Sequence, residues 1–223
     1  MAYQALVEQR GTGQPIAYLT GQREFWSLNY RVNKATLIPR PETEHLVELA
    51  LQRLPEQNCL QLVDLGTGAG TVALAVAHER PCCQILATDL CPQALRVAAD
   101  NAKRLGITNV EFLCSDWFSQ LKKRRFDLIA ANPPYVQRND PRLEKELRCE
   151  PRLALQAGPL GMEVLEVIID QARHHLNRDG WLLLEHGYDQ GTETLKLLQA
   201  CGYREVATYQ DFAGHDRNTI GRY

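Results

Sequence analysis

Val63-Asp64-Leu65-Gly66-Thr67-Gly68-Ala69-Gly70 is the stretch on which the reading of this chain turns. A short apolar strand runs into three glycines spaced two residues apart, and a helix-forming run, Thr71 to Glu79, starts at once. Glycines at a strand-to-helix turn let the backbone bend sharply, approach a ligand without an intervening Cβ, and aim the helix N-terminal amides at an anionic group. A nucleotide-like ligand is implied. A nicotinamide or flavin fingerprint would read G-x-G-x-x-G, whereas here the third glycine comes one residue early and the pattern is D-x-G-x-G-x-G. Taken alone, the stretch also fits a tight turn that binds nothing.

Outward from it, strand and helix patterns alternate. Strands are expected at Leu60 to Leu65, Gln84 to Asp89, Val110 to Cys114, Phe126 to Asn132 and Trp181 to His186. Helices are expected at Thr71 to Glu79, Pro92 to Leu105, Gly161 to Leu176 and Gln190 to Cys201, and two last strands at Arg204 to Tyr209 and Asn218 to Tyr223. Such alternation is the pattern of a doubly wound α/β sandwich, with ligand sites at the carboxyl ends of its strands. Ahead of it, residues 1–23 read as the end of a helix and a glycine-punctuated loop, and residues 24–38 as a β-hairpin turning at Asn33-Lys34. Pro39-Arg40-Pro41 then breaks the chain before a helical stripe of Leu46, Val47, Ala50, Leu51 and Leu54. We therefore expect an appendage over 1–40 and the main domain over 41–223.

Composition narrows the class. The 223 residues are 44% hydrophobic and 23% charged, which excludes a disordered or fibrous chain. Lys and Arg number 25 against 27 Asp and Glu, so there is no basic excess to drive nucleic-acid or membrane binding. The Lys122-Lys123-Arg124-Arg125 run reads as a solvated turn. No apolar run is long enough to span a membrane and no export signal opens the chain, so the protein is expected to be cytoplasmic. Seven cysteines without a C-x-x-C pair, and a lone His174-His175 pair, suggest neither a disulfide framework nor a metal site.

Two strand ends carry acids. A carboxylate at Asp89, closing the second strand, can accept both ribose hydroxyls of an adenosine, or can equally cap the helix at Pro92. Asp116 and Trp117 follow the third strand, where an acceptor and a flat aromatic face suit adenine, although Trp117 also suits a core. Asn132-Pro133-Pro134-Tyr135 follows the fourth. Two prolines donate no backbone hydrogen bonds and force an extended path. That arrangement leaves acceptors: the Asn132 side-chain oxygen and the Pro133 carbonyl can take the two hydrogens of a planar NH2 group, with Tyr135 across its flat face.

The glycine spacing resembles that of S-adenosylmethionine-dependent methyltransferases. Together with N-P-P-Y it resembles the amino methyltransferases that act on nitrogen conjugated to a π system. Tyr18-Leu19-Thr20-Gly21, Phe25-Trp26, Leu37-Ile38-Pro39-Arg40-Pro41-Glu42-Thr43-Glu44, Glu150 to Leu155 and Leu184 to Gln190 are similar to the HemK/PrmC family of peptide chain release factor glutamine N5-methyltransferases. The resemblance covers essentially the whole chain. It implies a Rossmann-like class I methyltransferase fold with a mostly parallel seven-stranded sheet preceded by a small hairpin. It implies S-adenosylmethionine as cofactor, S-adenosylhomocysteine as product, and the glutamine of the release factor Gly-Gly-Gln motif as acceptor. Members of that family usually carry an N-terminal helical bundle, and this chain is expected to begin just after it.

On this resemblance Gly66, Thr67, Gly68, Ala69, Gly70, Asp89, Asp116, Trp117 and Asn132 would hold the cofactor, and Asn132, Pro133, Pro134 and Tyr135 the acceptor. No general base is required, since deprotonation can follow transfer. Glu185 and His186 are either site-wall residues or a strand-end pair satisfying local backbone. The alternative is an adenine-directed DNA methyltransferase, but only about 25 residues lie free between Tyr135 and Gly161, too few for a target-recognition domain.

Overall fold

In the computed structural model, which describes residues 3–141, 143 and 148–223, the chain opens with α1 (Tyr3–Gly11) and a five-residue α2 (Ile16–Thr20). The second helix replaces part of the expected loop and ends at Gly21, whose φ of 70° supplies the left-handed cap. A hairpin follows, β1 (Gln22–Phe25) and β2 (Leu28–Arg31), but it turns at Trp26-Ser27 and not at Asn33-Lys34. Both turn residues have positive φ, 53° and 55°, as the tight two-residue hairpin turn demands. Distant groups hold this strained turn: the Trp26 amide donates to Glu44 and its indole to Glu79. Asn33 instead forms an Asx turn, its side chain accepting from the Ala35 amide at 2.8 Å.

A 3-10 turn at Pro41–Thr43 leads into α3 (Glu44–Arg53). The alternating unit then runs through β3 (Gln61–Leu65), α4 (Thr71–Glu79), β4 (Gln84–Asp89), α5 (Pro92–Leu105), β5 (Val110–Cys114) and β6 (Phe126–Ala131). A short parallel ribbon, β7 (Val136–Gln137) with β8 (Gln156–Gly158), crosses a stretch expected to be loop. Next come α6 (Glu163–Ala172), β9 (Leu176–Glu185), α7 (Gly191–Ala200), β10 (Arg204–Gln210) and β11 (Asp216–Arg222). α6 stops at Ala172, short of the expected Leu176. β9 starts five residues early, through polar Asn177, whose amide bonds Asp127 at 2.7 Å.

Seven strands form the main sheet in the order β10-β11-β9-β6-β3-β4-β5, parallel except for the antiparallel β11. Side-chain alternation sorts its central strands onto two faces. Leu62, Ile85, Leu128 and Leu183 pack with α3 and α4 on one face, while Val63, Leu86, Ile129 and Leu182 pack with α6 and α7 on the other. Phe25 and Tyr30 of the hairpin are buried in the first of these cores. From β3 the chain steps outward through β4 to β5, then returns to β6 on the opposite side of β3. The carboxyl ends of β3 and β6 thus flank the point where the winding reverses, the place where open α/β sheets form a crevice. Gly66 follows one of these strands and Asn132 the other.

Candidate active site

The glycine turn is braced from beneath by two acids. Asp64 is buried, and its Oδ2 accepts from the Thr67 hydroxyl at 2.6 Å and the Ala73 amide at 3.2 Å. Burial pushes its carboxyl up to about 6 against those hydrogen bonds. Asp89 accepts the Gly68 amide on one oxygen at 2.9 Å and the Cys91 amide on the other at 2.8 Å. It therefore closes an Asx turn just ahead of the helix, whose N-cap is Cys91 and not Asp89, and faces a cavity at once, because each carboxylate oxygen keeps a further lone pair. Its carboxyl is also raised, burial outweighing the backbone hydrogen bonds.

That cavity, of about 440 Å³, is walled by Gly66, Gly68, Asp89, Asp116, Trp117 and Asn132, with Pro134. Trp117 is set by a φ of 44° and by the Ser115 hydroxyl, which donates to its carbonyl at 2.8 Å. Thr67 and Ala69 border only a side space of about 40 Å³ that Asn132 also touches. Gly70 lines none of these. A Cβ there would meet Leu74 at 3.0 Å and Ala98 at 3.2 Å, and its φ is 86°, so this glycine serves the close approach of turn to helices.

A second cavity, of about 620 Å³, opens on the other side of Asn132 and is bounded by Arg40, Glu42, Pro133, Tyr135, Glu185 and Arg217. Asn132 borders both spaces. Its NH2 group donates to Thr43 Oγ1 at 3.1 Å, so its Oδ1 is left to accept. Tyr135 is held by Gln190, whose amide donates to the Tyr135 and Gly161 carbonyls at 3.2 Å each. Burial, with help from Glu185, pushes the Tyr135 phenol up to about 12, so it stays neutral. Glu185 is raised to about 7 by burial, against the Thr43 hydroxyl, Arg217 and the Asn132 amide. His186, fully buried, is consumed by Thr219 at 2.8 Å and the Gly187 carbonyl at 2.9 Å, and burial lowers its value. The strand-end pair thus divides: Glu185 faces the second cavity, and His186 satisfies the core.

Sequence reasoning did not find a strap. Residues 34–37 wall the first cavity, and Leu37 reaches both. Glu150 holds it, accepting the Ile38 amide at 3.0 Å and pairing with Arg40, while Tyr18 donates to the Thr36 carbonyl at 2.6 Å. The only trace of it in the sequence is the family-like character of the segments around Pro39 and Glu150, which carries no indication of contact between them. Chemically, one space presents carboxylates and an aromatic face. The other is bordered by Asn132 and Pro133 beside a neutral phenol and an acid.

Among the described residues, no helix is long and apolar enough to cross a membrane, and no group of three or more His, Cys, Asp or Glu could hold a metal ion. A family model described as the methyltransferase small domain matches residues 43–158. The release factor glutamine methyltransferase of Salmonella typhimurium is 51% identical over 219 residues, covering 98% of this chain and 79% of that protein. Among solved structures, a methyltransferase from Pyrococcus furiosus superposes with a TM-score of 0.65 at 17% identity, covering 98% of this chain and 96% of its own. The release-factor-specific protein-(glutamine-N5) methyltransferase from Alicyclobacillus acidocaldarius does so with a TM-score of 0.52 at 23% identity, covering 86% and 98%. These structural matches show a shared methyltransferase fold.

Proposed function

The chain belongs to the release factor glutamine methyltransferases, and on that premise we propose that its two cavities hold a methyl donor and a glutamine side chain on either side of Asn132. The enzyme methylates release factor glutamine, and the acceptor atom is the N5 amide nitrogen of the Gly-Gly-Gln motif. The DNA-adenine alternative is not favoured by these relatives. We assign S-adenosylmethionine to the 440 Å³ space, a volume within the usual range for small-molecule sites. When bound, it supplies a methyl group activated on a sulfonium. Asp89 would receive the ribose hydroxyls, Asp116 and Trp117 the adenine, and the turn from Gly66 to Gly70 the remainder, with Thr67, Ala69 and Gly70 acting by shaping that turn. Its product is S-adenosylhomocysteine. The family's release factor substrate supports work in the cytoplasm during translation termination, with no membrane or nucleic-acid contact needed. Residues 41–223 form the catalytic domain in this reading, and 1–40 an appendage that lends it the strap.

An amide nitrogen is a weak nucleophile because its lone pair is shared with the carbonyl. Asn132 Oδ1 and the Pro133 carbonyl accept its two hydrogens, push electron density back onto nitrogen, fix the line of attack and stabilise the positive charge that develops there. Pro134 keeps the turn rigid and Tyr135 covers the flat face of the amide. One observation carries the assignment: Asn132 borders both cavities. Asn132→Ala is expected to lower kcat by on the order of 10²-fold, with affinity for S-adenosylmethionine little changed. Labelled cofactor, offered with a release factor and with double-stranded DNA in parallel, checks both the rate and the acceptor. Turnover within a few-fold of wild type would sink the clamp.

A further inference from the structure

A side-chain amide can turn either end toward a ligand, and the clamp needs the carbonyl end of Asn132. The element behind it decides which. Thr43 Oγ1 takes the Asn132 NH2 group at 3.1 Å. Glu185, 1% exposed and at the end of β9, walls the same cavity as Asn132 with its Oε2 unpartnered, and the Thr43 hydroxyl and the Asn132 amide favour its charge. We propose that Glu185 is a positioning residue for methyl transfer, setting through the Thr43 hydroxyl the polarity of a hydrogen-bond relay that turns Asn132 Oδ1 toward the acceptor nitrogen. This rests on the clamp assigned above.

The direction follows from donor count. An ionised carboxylate only accepts, so Thr43 gives its single hydrogen to Glu185 and its oxygen can then only accept from Asn132. A protonated Glu185 carries a donor of its own. It can satisfy the Thr43 oxygen and release the threonine hydrogen to Asn132, which then turns its NH2 group toward the acceptor nitrogen, itself a donor of N–H. The ionised form is the active one. Facing Glu185 are Arg217 of β11, which favours the charge, and Glu42 of the 3-10 turn, which opposes it. Arg217 is already bound to Asp211 at 3.1 Å. Tyr135 stays neutral, and the adjoining His186 is lowered by burial. Burial dominates, which puts the change of form at about 7.

The test is kcat at saturating S-adenosylmethionine and release factor, over roughly pH 5.5 to 8.5, for wild type, Glu185→Gln, Thr43→Val, Thr43→Ser and Asn132→Ala. Wild-type kcat should rise with pH through about 7. Glu185→Gln and Thr43→Val should each lose on the order of tenfold or more in kcat and lose that inflection, with calorimetric affinity for S-adenosylmethionine unchanged. Thr43→Ser, which restores the hydroxyl, should recover most of the loss. A packing role would instead show in stability and cofactor affinity, with the pH inflection kept. If Glu185→Gln and Thr43→Val keep both rate and inflection while Asn132→Ala is dead, the relay is wrong and the clamp stands. If Asn132→Ala is itself active, the clamp has failed first. Should Glu185→Gln not fold, the Thr43 variants and the wild-type profile decide alone.

Discussion

Asp64 shows how much a single buried acid can set at the residue scale. Its value rises from 3.8 to about 6 on folding, so its contribution to stability is full below about pH 3.8 and is lost as pH rises through about 6. Asp64→Asn removes the buried charge while keeping an oxygen for Thr67 and Ala73. The stability of that variant relative to wild type should therefore climb between roughly pH 4 and pH 7.5, by up to about 3 kcal/mol. Urea denaturation at both ends of the range checks it, and a gap that ignores pH would contradict the buried-charge account. At Asp89 the expectation is different, since its free lone pairs face the proposed ribose site. Asp89→Ala should weaken S-adenosylmethionine by roughly 1.5 to 3 kcal/mol in a folded protein. Calorimetric titration reads this directly, and unchanged affinity would remove Asp89 from the site. Both acids are visible in the sequence as strand-end residues. Their bonds to Gly68, Cys91, Thr67 and Ala73 are not, because a carboxylate's partners are chosen by where the turn comes to rest.

Elements differ in how far local pattern reaches. α4 and α5 match their expected bounds, Thr71–Glu79 and Pro92–Leu105, since Pro92 starts one helix and Gly106, at φ 71°, stops it. The strap is the opposite case. No periodicity marks residues 33–41; they are ordered by Tyr18 and by Glu150, more than 100 residues away. Glu150→Ala leaves the Ile38 amide and Arg40 without this acceptor, at a cost of about 1 to 3 kcal/mol. We expect faster hydrogen exchange over residues 36–40, with α4 and α5 unaffected. Equal exchange in variant and wild type would mean the strap is held by packing alone.

The whole molecule is joined at a few buried polar points, of which Asn101 is the clearest. From inside α5 it donates to the Arg31 and Ala69 carbonyls at 3.0 and 2.9 Å and accepts the Arg31 amide at 2.8 Å, tying hairpin, helix and glycine turn together. Asn101→Ala should cost at least about 2 kcal/mol in urea denaturation and also weaken S-adenosylmethionine, because the Ala69 carbonyl belongs to the turn. Stability loss without any loss of affinity would show that hairpin and site are uncoupled. By itself the sequence determined the alternation of strand and helix, the two-faced burial of the central strands, the strand-end placement of Gly66, Asp89, Asp116 and Asn132, and the family. Periodicity, caps and short motifs are local, and they survive without knowledge of any contact. Tertiary structure alone decided that the turn after β3 and the turn after β6 share one crevice, that the hairpin bends at Trp26-Ser27, and that Asn132, bonded to Thr43, shares a cavity wall with Glu185. Each of these depends on groups far apart in the chain, brought together only when the sheet closes and buried donors and acceptors must find partners.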